Sequence, residues 1–294
     1  MKNLIWVKIL VPMLVAVCVV TSVFIYVPSY ILNNPAANGP DNCIASEFDT
    51  SVKTLVTVGD SITHGIVSVN YSKMIENEMS KYGYQTINAG INADLAITAL
   101  RKIEQVIACK PKVVTVLLGT NDVMGSLSED RRQGYISIDR VGVQDSISIE
   151  SYQKNLQEFV DKLVRAGVEK IFLVSLPLLG EDVSESVNQK TKQYSEIIRN
   201  IATADGVHYV PLNEAMRMAV KDTKAPQGFP KEKNPDDSMN VVKHYFLGTD
   251  LDSLFEERGY KFLTEGIHLN TAGAELTSSL ILKAMDEQGL LVND

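Results

Sequence analysis

Five short apolar runs, rich in β-branched residues, recur along the chain at residues 55–58, 85–89, 113–118, 170–176 and 208–212. Each is too short for a helix and ends at a turn former, which is the signature of buried strands. Between them the apolar period changes from 2 to 3.6. Helices are predicted over residues 69–82, 94–108, 151–166, 189–204 and 271–288. The third is the clearest, with Tyr152, Leu156, Phe159, Val160, Leu163 and Val164 on one face and Gly167 as its stop. Asn270 is the expected N-cap of the last helix. This β-α alternation predicts an α/β fold: a parallel sheet covered by helices on both faces, three layers in a flavodoxin-like strand order 2-1-3-4-5.

Two stretches break the rhythm. Residues 123–150 are polar and irregular, too long for a simple strand-to-helix connection, and are read as a wall or lid over a site. Residues 225–263 carry Pro226, Pro230, Pro235 and Asp236-Asp237, then two mixed segments. Both are expected to shape substrate pockets.

The N-terminus has a different character. Residues 9–32 form a run of 24 without a charge, preceded by Lys2 and Lys8. That length can span a bilayer, and the flanking lysines orient it with the following chain outside the cytoplasm. A single transmembrane helix is therefore expected within residues 1–32, with a cleaved signal segment as the alternative. Residues 33–53 read as a linker and residues 54–294 as the globular domain.

The chain has 294 residues, 45% of them hydrophobic, and a net charge of −8. About 250 residues remain for one large domain with a substantial core. An acidic chain without a basic stripe is not expected to bind nucleic acid. Outside the anchor there are two cysteines, Cys43 and Cys109, both expected toward the bottom of the sheet. In an oxidising compartment they could pair, and the sequence leaves that open. No His or Cys cluster has metal-ligand spacing, so neither a metal nor a cofactor is expected.

The first, second and third strands end at turns holding Ser61, Gly90 and Asn121. In a parallel sheet all three turns lie at the carboxyl edge, where ligands bind. Acyl transfer needs a nucleophile, a base, an orienter for the base and oxyanion donors. Ser61 is the candidate nucleophile and His268 the base. Glu265, three residues earlier, is the orienter, and the Ser61 and Gly90 backbone N–H groups with the Asn121 amide are the donors. Of the other histidines, His64 is read as lining the mouth, His208 as packed in a strand and His244 as a surface residue. Asp60 and Asp122 are read as acceptors that stabilise turns.

Gly59-Asp60-Ser61-Ile62, Gly90, Gly119-Thr120-Asn121-Asp122 and Gly266-Ile267-His268-Leu269-Asn270 resemble, in order, the four sequence blocks of the SGNH/GDSL hydrolase superfamily. The similarity spans residues 54–285. It implies the flavodoxin-like fold and metal-free ester hydrolysis, with Ser61 as nucleophile, His268 as base, and Gly90 and Asn121 as oxyanion donors. The family's pattern has Asp where this chain has Glu265. If the longer side chain does not reach, a Ser-His dyad, or Asp250 or Asp252 as orienter, is the alternative. The expected function is a membrane-anchored serine esterase acting through an acyl-Ser61 intermediate on a carbohydrate or lipid ester at the extracytoplasmic face. Acyl transfer by the same residues and an inactive binding domain are the competing readings.

Overall fold

The computed structural model describes residues 11–13, 30, 33–44, 49, 51–223, 226–230 and 235–292. In chain order the elements are β1 (Lys53–Gly59), α1 (Ser61–His64), α2 (Tyr71–Met79), β2 (Tyr84–Gly90), α3 (Ala96–Arg101), α4 (Ile103–Ala108) and β3 (Val113–Leu117). Then come α5 (Thr120–Gly125), α6 (Glu129–Ser137), α7 (Ile149–Arg165), β4 (Lys170–Val174), α8 (Ser186–Ile201), β5 (Val207–Val210) and α9 (Leu212–Val220). The chain closes with α10 (Pro235–Leu247), α11 (Leu251–Phe255) and α12 (Thr271–Glu287). The five strands form one parallel sheet in the order β2-β1-β3-β4-β5, the order expected from the alternation of elements.

Strand side chains alternate between the two faces, and the core divides accordingly. Val56, Val58, Val114, Val116, Ile171 and Leu173 pack with α3, α4, α7 and α8. Leu55, Val113, Leu117, Phe172 and Val174 pack with α2, α9 and α12. The result is an α/β/α sandwich whose strands are apolar on both faces, as parallel strands covered by helices must be.

The chain divides into two units, Met1–Asn34 and Pro35–Asp294. The run at residues 9–32, expected to span a membrane, lies almost wholly outside the described residues. Among the described residues no helix is long and apolar enough to cross one. The stretch expected as linker has structure of its own. Asn38 receives the Asn88 N–H at 3.0 Å and donates its amide to the Thr86 carbonyl at 3.2 Å, so it covers the outer edge of β2. A 3-10 turn, Pro40–Ile44, follows and carries Cys43 to a disulfide with Cys109. Cys109 lies before β3, at the amino edge of the sheet and away from Ser61.

The irregular stretches also acquire helices: α5 and α6 within 120–137, and α10 and α11 within 235–255. No residue of helix α6 is fully buried, so its sequence has no strong apolar stripe to betray it. The helix expected at residues 94–108 is broken at Lys102 into α3 and α4.

The disulfide closes a loop across a sequence separation of 66 residues. Serine at both Cys43 and Cys109 is expected to lower the unfolding free energy by about 2–4 kcal/mol, read by urea denaturation.

Candidate active site

Strand β1 ends at Gly59 because no side chain fits there. A Cβ would lie 2.1 Å from Thr63 Oγ1 and 2.4 Å from the Leu117 carbonyl. The chain turns at Asp60, whose Oδ1 caps α1 by accepting the Ile62 N–H at 2.9 Å. Ser61 is thus the first helical residue, and its N–H is one of the donors that a helix start leaves without a partner in the helix.

His268 comes from a closed loop between residues 262 and 270. Leu263 and Leu269 form an antiparallel bridge, and Thr264 N–H meets the His268 carbonyl at 2.8 Å. Asn270 caps α12 through the Gly273 N–H, as its sequence position predicts. Two neighbours hold this loop. Ser68 Oγ accepts the Leu269 N–H at 3.0 Å. The buried Glu181 carboxylate accepts the Lys261 and Phe262 N–H groups at 2.7 and 2.6 Å.

The two segments meet at Ser61. Ser61 Oγ lies 2.8 Å from His268 Nε2. His268 Nδ1 bonds to Glu265 Oε1, and Thr264 Oγ1 donates to Glu265 Oε2. Glutamate therefore reaches the imidazole despite standing where the family pattern has aspartate. Neither alternative orienter is engaged there: Asp250 caps α11, and Asp252 accepts the Thr271 N–H at 3.0 Å. Burial opposes both charges of the Glu265–His268 pair. The mutual attraction and the hydrogen bonds outweigh it, so the carboxyl is held below its usual range and the imidazole above its own.

The expected oxyanion donors are placed differently. Gly90 donates its N–H to Asn88 Oδ1 at 2.9 Å. A Cβ at Gly90 would stand 2.3 Å from His64 N, so glycine is needed there for the backbone of α1 to rest on the end of β2. Its requirement is packing, which departs from the role expected of it. Ala93, three residues on, has φ of 61°, and its N–H meets no acceptor among the described residues. No local pattern marks an alanine for that conformation, and sequence reasoning missed it. Asn121 reaches Asp60, the residue before Ser61. Its Nδ2 faces Asp60 Oδ2 at 3.2 Å and the Asp94 carbonyl at 3.0 Å, and Tyr135 donates to its Oδ1 at 2.8 Å. Tyr135 was also missed, because α6 carries no periodic signal.

Asp60 and Asp122 are buried acceptors. Burial pushes Asp60 up to about 6 and Asp122 to about 7. Asp122 Oδ2 takes the Ala96 N–H at 3.0 Å. His64 is buried, and its backbone forms the contact with Gly90. The His208 ring lies 5.2 Å from that of Phe172, and His244 meets the Thr249 carbonyl on the α10 side. Among the described residues no group of three or more His, Cys, Asp or Glu is placed to hold a metal ion.

Residues 57–276 match the model of the GDSL-like lipase/acylhydrolase family. The chain belongs to that family and is an esterase of the GDSL type. No curated protein matches it at a significant level. Its fold is similar to that of a catalytic mutant of an acetylxylan esterase from Geobacillus stearothermophilus. The TM-score is 0.58 at 16% identity, covering 79% of this chain and 94% of that one. An alpha/beta hydrolase enzyme from the metagenome of Lake Arreo, Spain, gives 0.56 at 17% identity, covering 82% and 97%. A further acetyl xylan esterase gives 0.54 at 18%, covering 79% and 98%.

Two outcomes follow from this geometry. Gly90→Ala is expected to cost about 1–3 kcal/mol of stability, read by thermal and urea unfolding, because the clash is with backbone. The second concerns pH. His268 can take a proton from Ser61 only while neutral, and Glu265 raises its pKa. The acidic limb of kcat/KM is therefore expected above the 6.5 of a free imidazole. In Glu265→Gln that limb should move to lower pH while kcat falls by about 10²–10⁴-fold.

Proposed function

We propose that this GDSL-family esterase cleaves its substrate through an acyl-Ser61 intermediate, with His268 as general base and acid and Glu265 as its orienter. The observation that carries this reading is the continuous relay from Ser61 Oγ through the His268 ring to Glu265. Serine is a weak nucleophile by itself and needs an adjacent base held in one tautomer. Here Glu265 fixes the proton on Nδ1, which leaves the Nε2 lone pair facing Ser61 Oγ.

His268 Nε2 takes the hydroxyl proton as Oγ attacks the ester carbonyl. The resulting oxyanion is held by backbone N–H groups that the fold leaves unused, those of Ser61 and Ala93, with Asn121 alongside. Such preorganised donors supply the largest part of catalysis in sites of this kind. Collapse expels the alcohol, which takes its proton from His268. Water, deprotonated by the same nitrogen, then attacks the acyl-Ser61 ester and releases the acid.

The substrate in this reading is an ester of a carbohydrate, and the fold likeness to acetylxylan esterases supports that choice over a long-chain lipid ester. In this reading the enzyme works at the extracytoplasmic face of a membrane, with residues 9–32 as the anchor. The uncharged length of that run and its preceding lysines support this, and so does the Cys43–Cys109 disulfide, a bond that persists in oxidising compartments.

A fluorophosphonate probe applied to the full-length protein in detergent is expected to form an adduct on Ser61, located by mass spectrometry. The adduct should be absent in Ser61→Ala and form at least 100-fold more slowly in His268→Ala. A folded wild-type protein that takes up no probe would replace this reading with that of a binding domain.

A further inference from the structure

The pair Arg131-Arg132 on α6 contains two guanidinium groups with opposite fates. Arg132 is fully engaged: it pairs with Glu129 at 3.1 Å and donates to the carbonyls of Val143 and Asp145, tying down the loop behind α6. Arg131 makes no ion pair and no side-chain hydrogen bond among the described residues. It is half-buried, and its guanidinium carbon lies over the Phe229 ring at 5.1 Å from the centroid.

That stacking joins the two banks of the site. On one bank, Arg131 and Tyr135 lie four residues apart on α6 and so share a face, one turn from each other. Tyr135 reaches Asn121, and Asn121 reaches Asp60 beside Ser61. The Arg131 charge is felt at the Tyr135 phenol. Burial and the Asp60 and Asp122 charges raise that phenol's pKa, and the guanidinium partly offsets the rise. On the other bank, Phe229 belongs to the strap at residues 226–230, which lies against the loop of His268. A Cβ at Gly266 would stand 2.7 Å from Pro230 Cδ, and Ile267 and Phe229 pack against the same core cluster. The strap is held from behind by Glu185, which accepts the Phe229 N–H at 2.7 Å, and by the Tyr260 hydroxyl on the Gly228 carbonyl at 2.7 Å.

A guanidinium resting over an aromatic ring keeps N–H donors that the ring does not use. The guanidinium fork matches the two oxygens of a carboxylate or phosphate, and little rotamer freedom is left to lose on binding. The protein is acidic overall, and the carboxylates of Asp60, Glu265 and Glu181 are already taken by donors. Among the described residues this cation between the two banks has no anionic partner.

We propose that Arg131, held over the Phe229 ring, is a specificity residue that binds an anionic group carried by the substrate beyond the scissile ester. The proposal rests on the esterase reading above. The anion is a carboxylate, as in a uronic acid, or a phosphate carried on a sugar, and the two are separable by experiment.

Three acetate esters test this with the full-length enzyme in detergent: methyl 4-acetoxybenzoate, 4-acetoxybenzoate and 4-acetoxyphenyl phosphate. The readout is the ratio of kcat/KM for each anionic ester to that for the neutral one, so a partly unfolded variant does not distort it. In Arg131→Gln the ratio is expected to fall about 10- to 100-fold relative to wild type. Arg131→Lys should recover part of it, and added salt should lower it in wild type. A fall confined to the benzoate ratio assigns the subsite to carboxylates, and one confined to the phosphate ratio assigns it to phosphates. Ratios within twofold of wild type in Arg131→Gln would overturn the subsite alone. Wild-type protein that cleaves none of the three esters and takes up no fluorophosphonate would overturn the esterase reading and the subsite with it.

Discussion

The geometry around Ser61 depends on how closely the turn after β1 sits on the ends of its neighbouring strands. Gly59 lets Thr63 and the Leu117 carbonyl crowd against β1, and Gly90 lets the His64 backbone rest on β2. Hydrogen bonds close the contact. Asn88 donates to the Thr63 carbonyl at 2.8 Å while accepting the Gly90 N–H, and the Ile91 N–H reaches the Gly59 carbonyl at 3.0 Å. Any side chain at either glycine would push α1 outward and carry Ser61 with it. A displacement of a few tenths of an ångström at the nucleophile is enough to lengthen a 2.8 Å bond to His268.

The second half of the site is held by charge. Carboxylates recur beneath it, and each is fixed by backbone or side-chain donors: Asp60 by Ile62 and Asn121, Asp122 by Ala96, Glu181 by Lys261 and Phe262. A buried carboxylate without such donors would be costly, and with them it becomes a rigid clamp on the chain. Glu181 is the clearest case, because it joins the loop after β4 to the segment leading into Glu265 and His268. The Glu265–His268 pair thus stands on a second acid that is bonded to the chain ahead of it. Glu265 differs from these clamps in having the imidazole as its partner. Its charge is used to raise the basicity of a side chain, and the others are used to hold backbone.

Much of this was legible in the chain. Every strand was marked by its apolar run, and the alternation of elements was enough for the sheet order. The Asn270 cap could be read because capping is a local property of one residue and the next turn. The turns that carry Ser61 and His268 and the spacing of Glu265 could be read, and the structure brings the three side chains into contact. What failed was anything set by contact between distant segments. A glycine serves a donor and a close contact equally well, so Gly90 could not declare which it was. Ala93 holds a left-handed turn that alanine does not advertise. Residues 38–44 looked like a linker because a segment pinned by one disulfide and two hydrogen bonds to β2 needs no periodicity.

The same limit explains why catalysis was easier to read than specificity. The candidate reacting groups sit in turns at a strand end and before a helix cap, where few residue types serve. The walls of the site come from α6, the strap at residues 226–230 and the α10–α11 region, none of which follows a strong pattern. Arg131 and Arg132 are identical side chains one position apart. Sequence gives them the same propensities and the same charge. A rotation of about 100° along the helix sends one to Glu129 and two carbonyls, and the other to the ring of Phe229 nearly a hundred residues away. One is thereby consumed by the fold, and the other keeps its donors for whatever enters the site.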